Sequence, residues 1–274
     1  MALSEISPFC YQAYARRTQR FASWTASFVQ ATRIHRRVGW VAQFKSYTYS
    51  RRGRSSGTPV WQEGVLKRAE FHGELPCTLA SSDADMIKTV NEIMKWGGMT
   101  PYSLSFAGDI RKALHVLQHE TQNSAWISGC LANLDTGGTI ASMSKVYEMF
   151  DPQKWTIYDS RVACALACLV RRFWTANNKE VDDDILRFPV PGRKNKGWRR
   201  PQGFPAVSGG HQGSLAFVYA SWLLRQVAEI LRNNPTKYDA PPTVGQPTKC
   251  SPLHANWQVY HLEMALWMLG DKVF

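Results

Sequence analysis

The sequence predicts an all-α protein. Along most of the chain, apolar residues recur at intervals of three and four, and short glycine or proline breaks separate these segments. Units in which a strand alternates with a helix are not recognisable. At 274 residues with 44% hydrophobic residues, the chain can bury a large core, in one domain or in two lobes of one domain.

The N-terminal part combines amphipathic helices with a basic loop. Residues 7 to 37 predict one or two helices with a core face formed by Phe9, Phe21, Trp24, Phe28 and Val29. Residues 46 to 64 contain Arg51-Arg52-Gly53-Arg54-Ser55-Ser56-Gly57-Thr58-Pro59, and their glycine, serine and proline content predicts a flexible loop.

Five helices are predicted in the middle of the chain. The first begins at Asp83 and stops at Gly97-Gly98, and the others cover residues 109–120, 125–134, 139–150 and 160–174. The fourth must end near Asp151, because a residue that precedes a proline is pushed out of the helical region.

The last third holds a long connection and two helices. Residues 177 to 213 lack a regular period, and long connections of this kind are commonly functional or disordered. Helices are predicted over residues 214–232 and 257–269, joined by an exposed proline-rich linker at 235–252. Glu263 interrupts the last apolar helix, and if buried it needs a partner, for which Arg161 is the candidate.

The positive charge is concentrated in the first quarter of the chain. Residues 1 to 68 contain 12 Lys and Arg against 2 acids, while the rest of the chain contains 21 against 19. We therefore divide the chain into a basic N-terminal helical region, residues 1–68, and a helical domain, residues 69–274. Such a basic region is the electrostatic footprint of nucleic-acid binding, although a solvated arginine-rich face or an anionic-membrane patch would have the same composition.

Composition also bears on compartment and cofactors. The six cysteines are scattered without a Cys-x-x-Cys pair, which favours small buried residues in a reducing compartment and predicts neither a metal nor another cofactor. There is no apolar run of the roughly 20 residues that a membrane helix needs, and no signal-like N-terminus. We expect a cytoplasmic protein that has no membrane partner.

The segment from Ser144 to Leu166 carries the chemistry. It places Lys145 on a helix that stops at Pro152, then a short extended piece, then Asp159 where the next helix begins. Free backbone N–H groups at a helix start favour an ionised carboxylate there. This bend can aim an amine and a carboxylate at one point. In the plainer interpretation Asp159 is only a cap and Lys145 only a solvated lysine.

The segments Ser144-Lys145 and Ile157-Tyr158-Asp159-Ser160-Arg161-Val162 resemble a known pair of motifs. They are similar to the lysine helix and the Val-Asp-x-x-Val signature of the helix-hairpin-helix DNA glycosylases, the superfamily that includes 8-oxoguanine DNA glycosylase, and especially to its compact bacterial members. The resemblance covers about residues 85 to 175 and, more weakly, the C-terminal helix. It departs at the hairpin, since Leu134-Asp135-Thr136-Gly137-Gly138 is separated from Lys145 by six residues, 139–144. The four-cysteine iron–sulfur loop of some members is absent.

This resemblance implies a two-lobed helix-hairpin-helix fold with its site between the lobes, and a monomer that acts on double-stranded DNA. The enzyme would flip out a damaged or modified base and cleave its N-glycosidic bond, leaving an abasic site. Asp159 would stabilise positive charge on the sugar, and Lys145 would attack the sugar carbon. Attack by the amine would also permit strand cleavage through an imine. Oxidised guanine and a hypermodified base of phage DNA, which would make this a defence enzyme, remain alternatives as substrate.

Other segments of the chain offer candidates for contacts with the base and with the DNA backbone. The base pocket or stacking candidates are Trp96, Met99, Tyr102, Phe106, Trp198, His211 and Gln212, with Phe204 as a further residue that could replace a base. The DNA-backbone candidates are Arg51, Arg52, Arg54, Gly137, Gly138, Arg161, Lys194, Lys196, Arg199 and Arg200.

Two other classes of function fit the same composition. The first is a non-catalytic helical DNA-binding protein, in which these residues only hold phosphates. The second is an interaction protein whose basic N-terminal region docks an acidic partner.

Overall fold

A computed structural model describes residues 11–31, 33–34, 37–47, 60–121, 123–134, 139–177, 184–191, 201–208, 210–242 and 256–270. Within these ranges the chain is all-helical apart from one hairpin of two-residue strands, which confirms the predicted all-α class. The elements are α1 Tyr11–Ala31, β1 Arg33–Ile34, β2 Arg37–Val38, α2 Gly39–Lys45, α3 Val60–Thr78, α4 Asp83–Trp96, α5 Ala107–Gln118, α6 Ser124–Leu134, α7 Ile140–Phe150, α8 Ser160–Ala176, α9 Gly210–Arg232 and α10 Val259–Gly270. No helix in these ranges has both the length and the apolar character that crossing a membrane requires.

Helix α10 lies at the centre of the core. All of its residues are buried, and it packs against α2, α8 and α9. Helix α1 packs against α9, where the Tyr14 hydroxyl donates to the carbonyl oxygen of Tyr219 at 2.9 Å and the two rings stack. Helices from the basic N-terminal quarter therefore share the core of the C-terminal helices, and the division proposed at residue 68 falls inside α3.

Helix α3 was not anticipated by the sequence pattern. The loop predicted up to residue 64 is wrong from Val60 onward, and no helix was predicted between residues 65 and 82. Gly64, Gly73 and Pro76 all lie within α3, and the buried face of the helix contains the charged Arg68. These residues hide the helical period, because three of them disfavour helices and the fourth breaks the apolar stripe.

Helices α4 to α8 begin and end close to their predicted bounds. Ser82 caps α4, its hydroxyl accepting from the backbone N–H of Asp85 at 3.2 Å. After α4, Gly98 adopts a φ of 66°, in the left-handed region that favours glycine, so the chain turns away there. Helix α7 ends at Phe150, directly before Asp151 and Pro152 as predicted.

The long connection before α9 contributes to the core. Val190 forms an isolated bridge with Ala206, and Phe188 is buried. Phe204 is also buried and stacks on Trp174 with 5.5 Å between ring centroids, so its ring is occupied by the core instead of being presented to a base. In the following linker, predicted to be exposed, Tyr238 is buried and its hydroxyl lies 3.1 Å from that of Ser27.

Helices α8 and α10 approach each other closely at Gly270. A Cβ atom added at Gly270 would overlap the carbonyl oxygen of Arg161, which is backbone and cannot rotate away. Glycine at the end of α10 therefore sets the distance between these two helices.

We predict that Gly270→Ala lowers the free energy of unfolding by about 1–3 kcal/mol, the usual cost of overpacking a core. The matched control is Gly129→Ala in α6, where an added Cβ meets nothing within 4 Å. That control should gain about 0.5–1 kcal/mol from better helix propensity. Urea unfolding followed by circular dichroism measures both, and equal effects of the two substitutions would contradict the close helix contact.

Candidate functional site

Lys145 lies on the buried side of α7. Its side chain is only 6% exposed, and its Nζ donates to the carbonyl oxygen of Ala141 at 2.7 Å. Its aliphatic part lies against Gly97, since a Cβ added there would come within 2.5 Å of Lys145 Cδ. Lys145 is thus held inside the protein by the end of α4, unlike a solvated surface lysine.

Asp159 caps α8 as the sequence predicts. Its Oδ1 accepts from the backbone N–H groups of Arg161 at 2.9 Å and Val162 at 3.2 Å. The residue is half-buried and its backbone is extended, which is the usual conformation of a helix cap. These bonds orient the carboxylate at the positive end of the helix dipole.

A hydrogen bond joins the segments that carry these two residues. The backbone N–H of Tyr158 donates to Ser144 Oγ at 2.9 Å, and each of these residues is the chain neighbour of a candidate catalytic residue. The Tyr158 hydroxyl in turn donates to the carbonyl oxygen of Pro189 at 2.7 Å. Among the described contacts, Lys145 and Asp159 form no direct hydrogen bond or ion pair with each other, so their segments are adjacent while the two groups stay apart.

Beside Lys145 lies a fully buried group of three charged residues, called here the Arg68 cluster: Arg68, Glu148 and Glu263. Arg68 Nε donates to Glu148 Oε1 at 3.0 Å, and its Nη2 donates to Glu263 Oε2 at 2.6 Å. All three side chains are 0% exposed. The cluster therefore connects α3, α7 and α10 through charges removed from water.

The partner predicted for Glu263 is wrong. The ion pair of Glu263 is with Arg68, while the guanidinium of Arg161 lies 3.8 Å from the ring centroid of Trp267. The sequence pattern does not single out Arg68 or Glu148 as site residues, because Arg68 adds to the charge of the basic quarter like its other arginines. Arg68 lies at helical spacing from Trp61, Val65 and Leu75, and a charged residue in this apolar row would have indicated a buried charge.

The two carboxyl groups of the cluster share a single cation. Burial, together with the charge of Glu148, raises the pKa of Glu263 well above its ordinary value, and burial also raises the pKa of Glu148. Within the part of the chain that the structure describes, Glu148 Oε2 and Glu263 Oε1 have no hydrogen-bond partner in another residue, and the two carboxyl groups interact with each other. With Glu263 as the protonated member, its carboxyl group can donate to the Glu148 carboxylate, so that one cation balances one negative charge.

The cluster is electrostatically connected to both candidate catalytic residues. The charge of Lys145 lowers the pKa of both glutamates, and the charge of Asp159 raises that of Glu263. Lys145 and Asp159 therefore both act electrostatically on the buried Arg68 cluster.

Four of the predicted pocket residues lie on the side of α7 that faces the end of α4. Trp96, Met99, Tyr102 and Phe106 are all half-buried in and after α4. Trp96 lies over the Arg68 guanidinium at 5.4 Å. The Tyr102 hydroxyl interacts with Ser142, one turn before Lys145, and burial raises its pKa.

One exposed apolar side chain near these residues was not predicted. Leu104 is 56% exposed, in a short 3-10 turn that also contains Phe106. Phe106 packs edge-on against Tyr102 with 5.3 Å between ring centroids, so the exposed Leu104 belongs to the same short turn as one member of this aromatic pair.

The other predicted contacts are less closely connected to Lys145. His211 is exposed at the start of α9, and Gln212 Oε1 accepts from the N–H and hydroxyl groups of Ser208 at 2.8 and 3.0 Å. The start of α9 does lie against α7, because a Cβ at Gly213 would come within 2.9 Å of Ile140. The remaining candidates lie outside the described residues: Arg51, Arg52, Arg54, Gly137, Gly138, Lys194, Lys196, Trp198, Arg199 and Arg200.

No family model, no curated protein and no solved structure matches this chain. Any assignment of function therefore depends on the residues and the geometry of the site.

We predict that Arg68→Met destabilises the protein by about 3–5 kcal/mol, because two buried carboxyl groups lose their only cation in the cluster. The triple variant Arg68→Met, Glu148→Leu and Glu263→Leu should recover most of that loss, since an apolar group replaces all three charges. Guanidinium unfolding at neutral pH measures both proteins. An Arg68→Met protein as stable as the wild type would show that the Arg68 cluster does not contribute to the stability of the fold.

We also predict that Glu263→Gln changes the pH dependence of stability. Between the unfolded pKa of about 4.3 and the raised folded pKa, the native protein binds more protons than the unfolded chain, so wild-type stability falls as pH rises. Glutamine can still donate a hydrogen bond but does not titrate, so the variant should gain stability relative to wild type as pH rises from about 4 towards the raised folded pKa of Glu263. Glu70→Gln, in an exposed pair with Lys67, is the control. A stability difference independent of pH would contradict the shared proton.

Proposed function

We propose that this protein is a DNA glycosylase of the helix-hairpin-helix type, with Lys145 as nucleophile and Asp159 as the stabilising carboxylate. The observation that carries the proposal is the Tyr158–Ser144 hydrogen bond of 2.9 Å, which holds the lysine helix beside the capped start of α8. The motif resemblance of these same segments supplies the reaction class. The proposed protein is a two-lobed monomer acting on double-stranded DNA in the cytoplasm.

The chemistry follows from the two groups. As the N-glycosidic bond breaks, positive charge builds on the sugar, and the fixed carboxylate of Asp159 stabilises it. Lys145 then gives up its ammonium proton and bonds through the free amine to the sugar carbon, while the base departs with the bonding electrons and takes up that proton. The Arg68 cluster sits one turn along α7 and supports this arrangement by fixing the helix that carries Lys145.

The pocket for the base would form between the end of α4 and α7. Half-buried Trp96, Tyr102 and Phe106 offer aromatic surface for an extruded base, which must lose its stacking in the duplex. Oxidised guanine or a hypermodified phage base would serve as substrate, and the latter would make the protein an antiviral defence enzyme.

One observation favours a second candidate, a non-catalytic helical DNA-binding protein. The amine of Lys145 donates to its own helix at Ala141 and forms no pair with Asp159. A lysine satisfied in this way fits a structural role, and the basic quarter of the chain would then bind phosphates alone.

Borohydride trapping on a duplex containing an abasic site separates these candidates. The glycosylase proposal predicts a covalent complex with wild type and none with Lys145→Gln, because only the amine forms a reducible imine. Lys112→Gln, at an exposed position of α5, is the control and should trap like wild type. Equal crosslinking by wild type and Lys145→Gln would remove the proposed role of the lysine.

Asp159→Asn tests the carboxylate in an assay of base release from DNA. Asparagine caps helices almost as well as aspartate, so the fold should remain while base release slows by about 10²–10³-fold. Mass spectrometry of bases released from genomic DNAs, including modified viral DNA, would identify the substrate. Release of no base from any DNA, with strong salt-dependent duplex binding, would favour the binding protein.

A further inference from the structure

Helix α1 and the C-terminal half of α8 pack together and bring arginines from distant parts of the chain to one side of the protein. Trp24 contacts Phe173 edge-on at 5.5 Å, and the Arg172 guanidinium lies 5.6 Å from the centre of the Phe28 ring. Arg171 and Arg172 line the groove between the two helices. Because the aromatic rings are taken up by contacts between helices, the groups left for a ligand are the arginines.

Two exposed arginines of α1 continue this surface. Arg16 and Arg20 lie one turn apart, and Trp24 and Phe28 follow at the same spacing, so the four residues form one ridge of the helix. The ridge is about 18 Å long, from the rise of 1.5 Å per helical residue. Because Arg172 lies over Phe28, the ridge has arginines at both of its ends.

We call this surface the α1–α8 basic face, and it consists of Arg16, Arg20, Arg171 and Arg172, all of them exposed. Among the described residues, none of these four arginines forms an ion pair with a carboxylate. The sequences of α1 and α8 contain no Asp or Glu at all. Two acids act electrostatically on Tyr11 in the first turn of α1, but two arginines act there as well. The positive charge of the face is therefore not neutralised by its own helices.

We propose that the α1–α8 basic face binds the sugar–phosphate backbone of duplex DNA. Each strand of a duplex carries one negative charge per 3.4 Å of its axis, so a ridge of about 18 Å spans about five phosphates. The planar fork of N–H donors in arginine fits two oxygens of a phosphate. Contacts of this kind position a protein on the duplex and do not read its sequence. The face is distinct from the candidate active site, because the rise along α8 separates Asp159 from Arg172 by about 20 Å.

Two other anionic partners fit this face less well. A helix that binds an anionic membrane also inserts an apolar face, whereas the apolar face of α1, with Phe21 and Val29, is buried in the core. An acidic peptide has no fixed spacing of charges, whereas the phosphates of a duplex stand at regular intervals that match a rigid row of arginines. The geometry of the face therefore favours the duplex.

The test is fluorescence anisotropy of a labelled twenty-base-pair duplex, titrated with the full-length protein at several salt concentrations. Arg16→Gln with Arg20→Gln removes two phosphate contacts, so the dependence of log affinity on log salt should become less steep by about 1.8. Arg171→Gln with Arg172→Gln should have the same effect, and all four substitutions together should reduce the slope by about 3.6. An unchanged slope for either pair would overturn the proposal, because the face requires both helices.

The control pair is Lys112→Gln with Lys154→Gln. Both lysines are exposed, but each lies near an aspartate, at 3.8 Å and 3.5 Å, so their removal should leave the slope almost unchanged. A loss of slope equal to that of an arginine pair would show that the duplex responds only to net charge, against the proposal. Arg171→Lys with Arg172→Lys keeps both charges and should keep the slope, which distinguishes lost phosphate contacts from misfolding.

Two further measurements separate the alternatives. Binding to vesicles that contain phosphatidylserine, without binding to the duplex, would identify a membrane surface and overturn the proposal. A labelled oligoglutamate that binds as tightly as the duplex, and is lost in both arginine pairs, would overturn it in favour of an acidic peptide.

The proposal does not depend on the chemistry assigned to Lys145. Lys145→Gln should bind the duplex like wild type, because Lys145 is buried and lies on α7. Failure of the glycosylase assay would therefore leave the salt dependence of duplex binding, and its loss in the arginine pairs, unaffected.

Discussion

The structure around the candidate site depends on one buried guanidinium. Arg68 bonds to glutamates 80 and 195 positions away in the chain, and all three side chains are sealed from water. Charges in such an interior are tolerated only when their partners meet at short distances, so three helices are restricted to one arrangement. Lys145 and Trp96 take their places from that arrangement, the first on α7 and the second against the guanidinium itself.

Asp159 is positioned by a different kind of interaction. Its carboxylate is oriented by the two N–H groups of the helix that it caps, which are two and three positions ahead in the chain. The amine of Lys145 is held instead by its own helix and by the end of α4. The Tyr158–Ser144 hydrogen bond joins the segments that carry Asp159 and Lys145, and the two charged groups form no ion pair among the described contacts.

The sequence by itself determined the all-α class, the starts and stops of α4 to α8, and the cap at Asp159, because caps, prolines and apolar spacing act within a few residues. Only the tertiary structure decided that α3 is a helix, since its glycines and Pro76 disfavour one and packing overrides them. The sequence indicated that a buried Glu263 needs a cation, but the choice of Arg68 over Arg161 depends on which helices meet. Contacts between residues far apart in the chain arise from the packing of the whole core, and no local pattern records them.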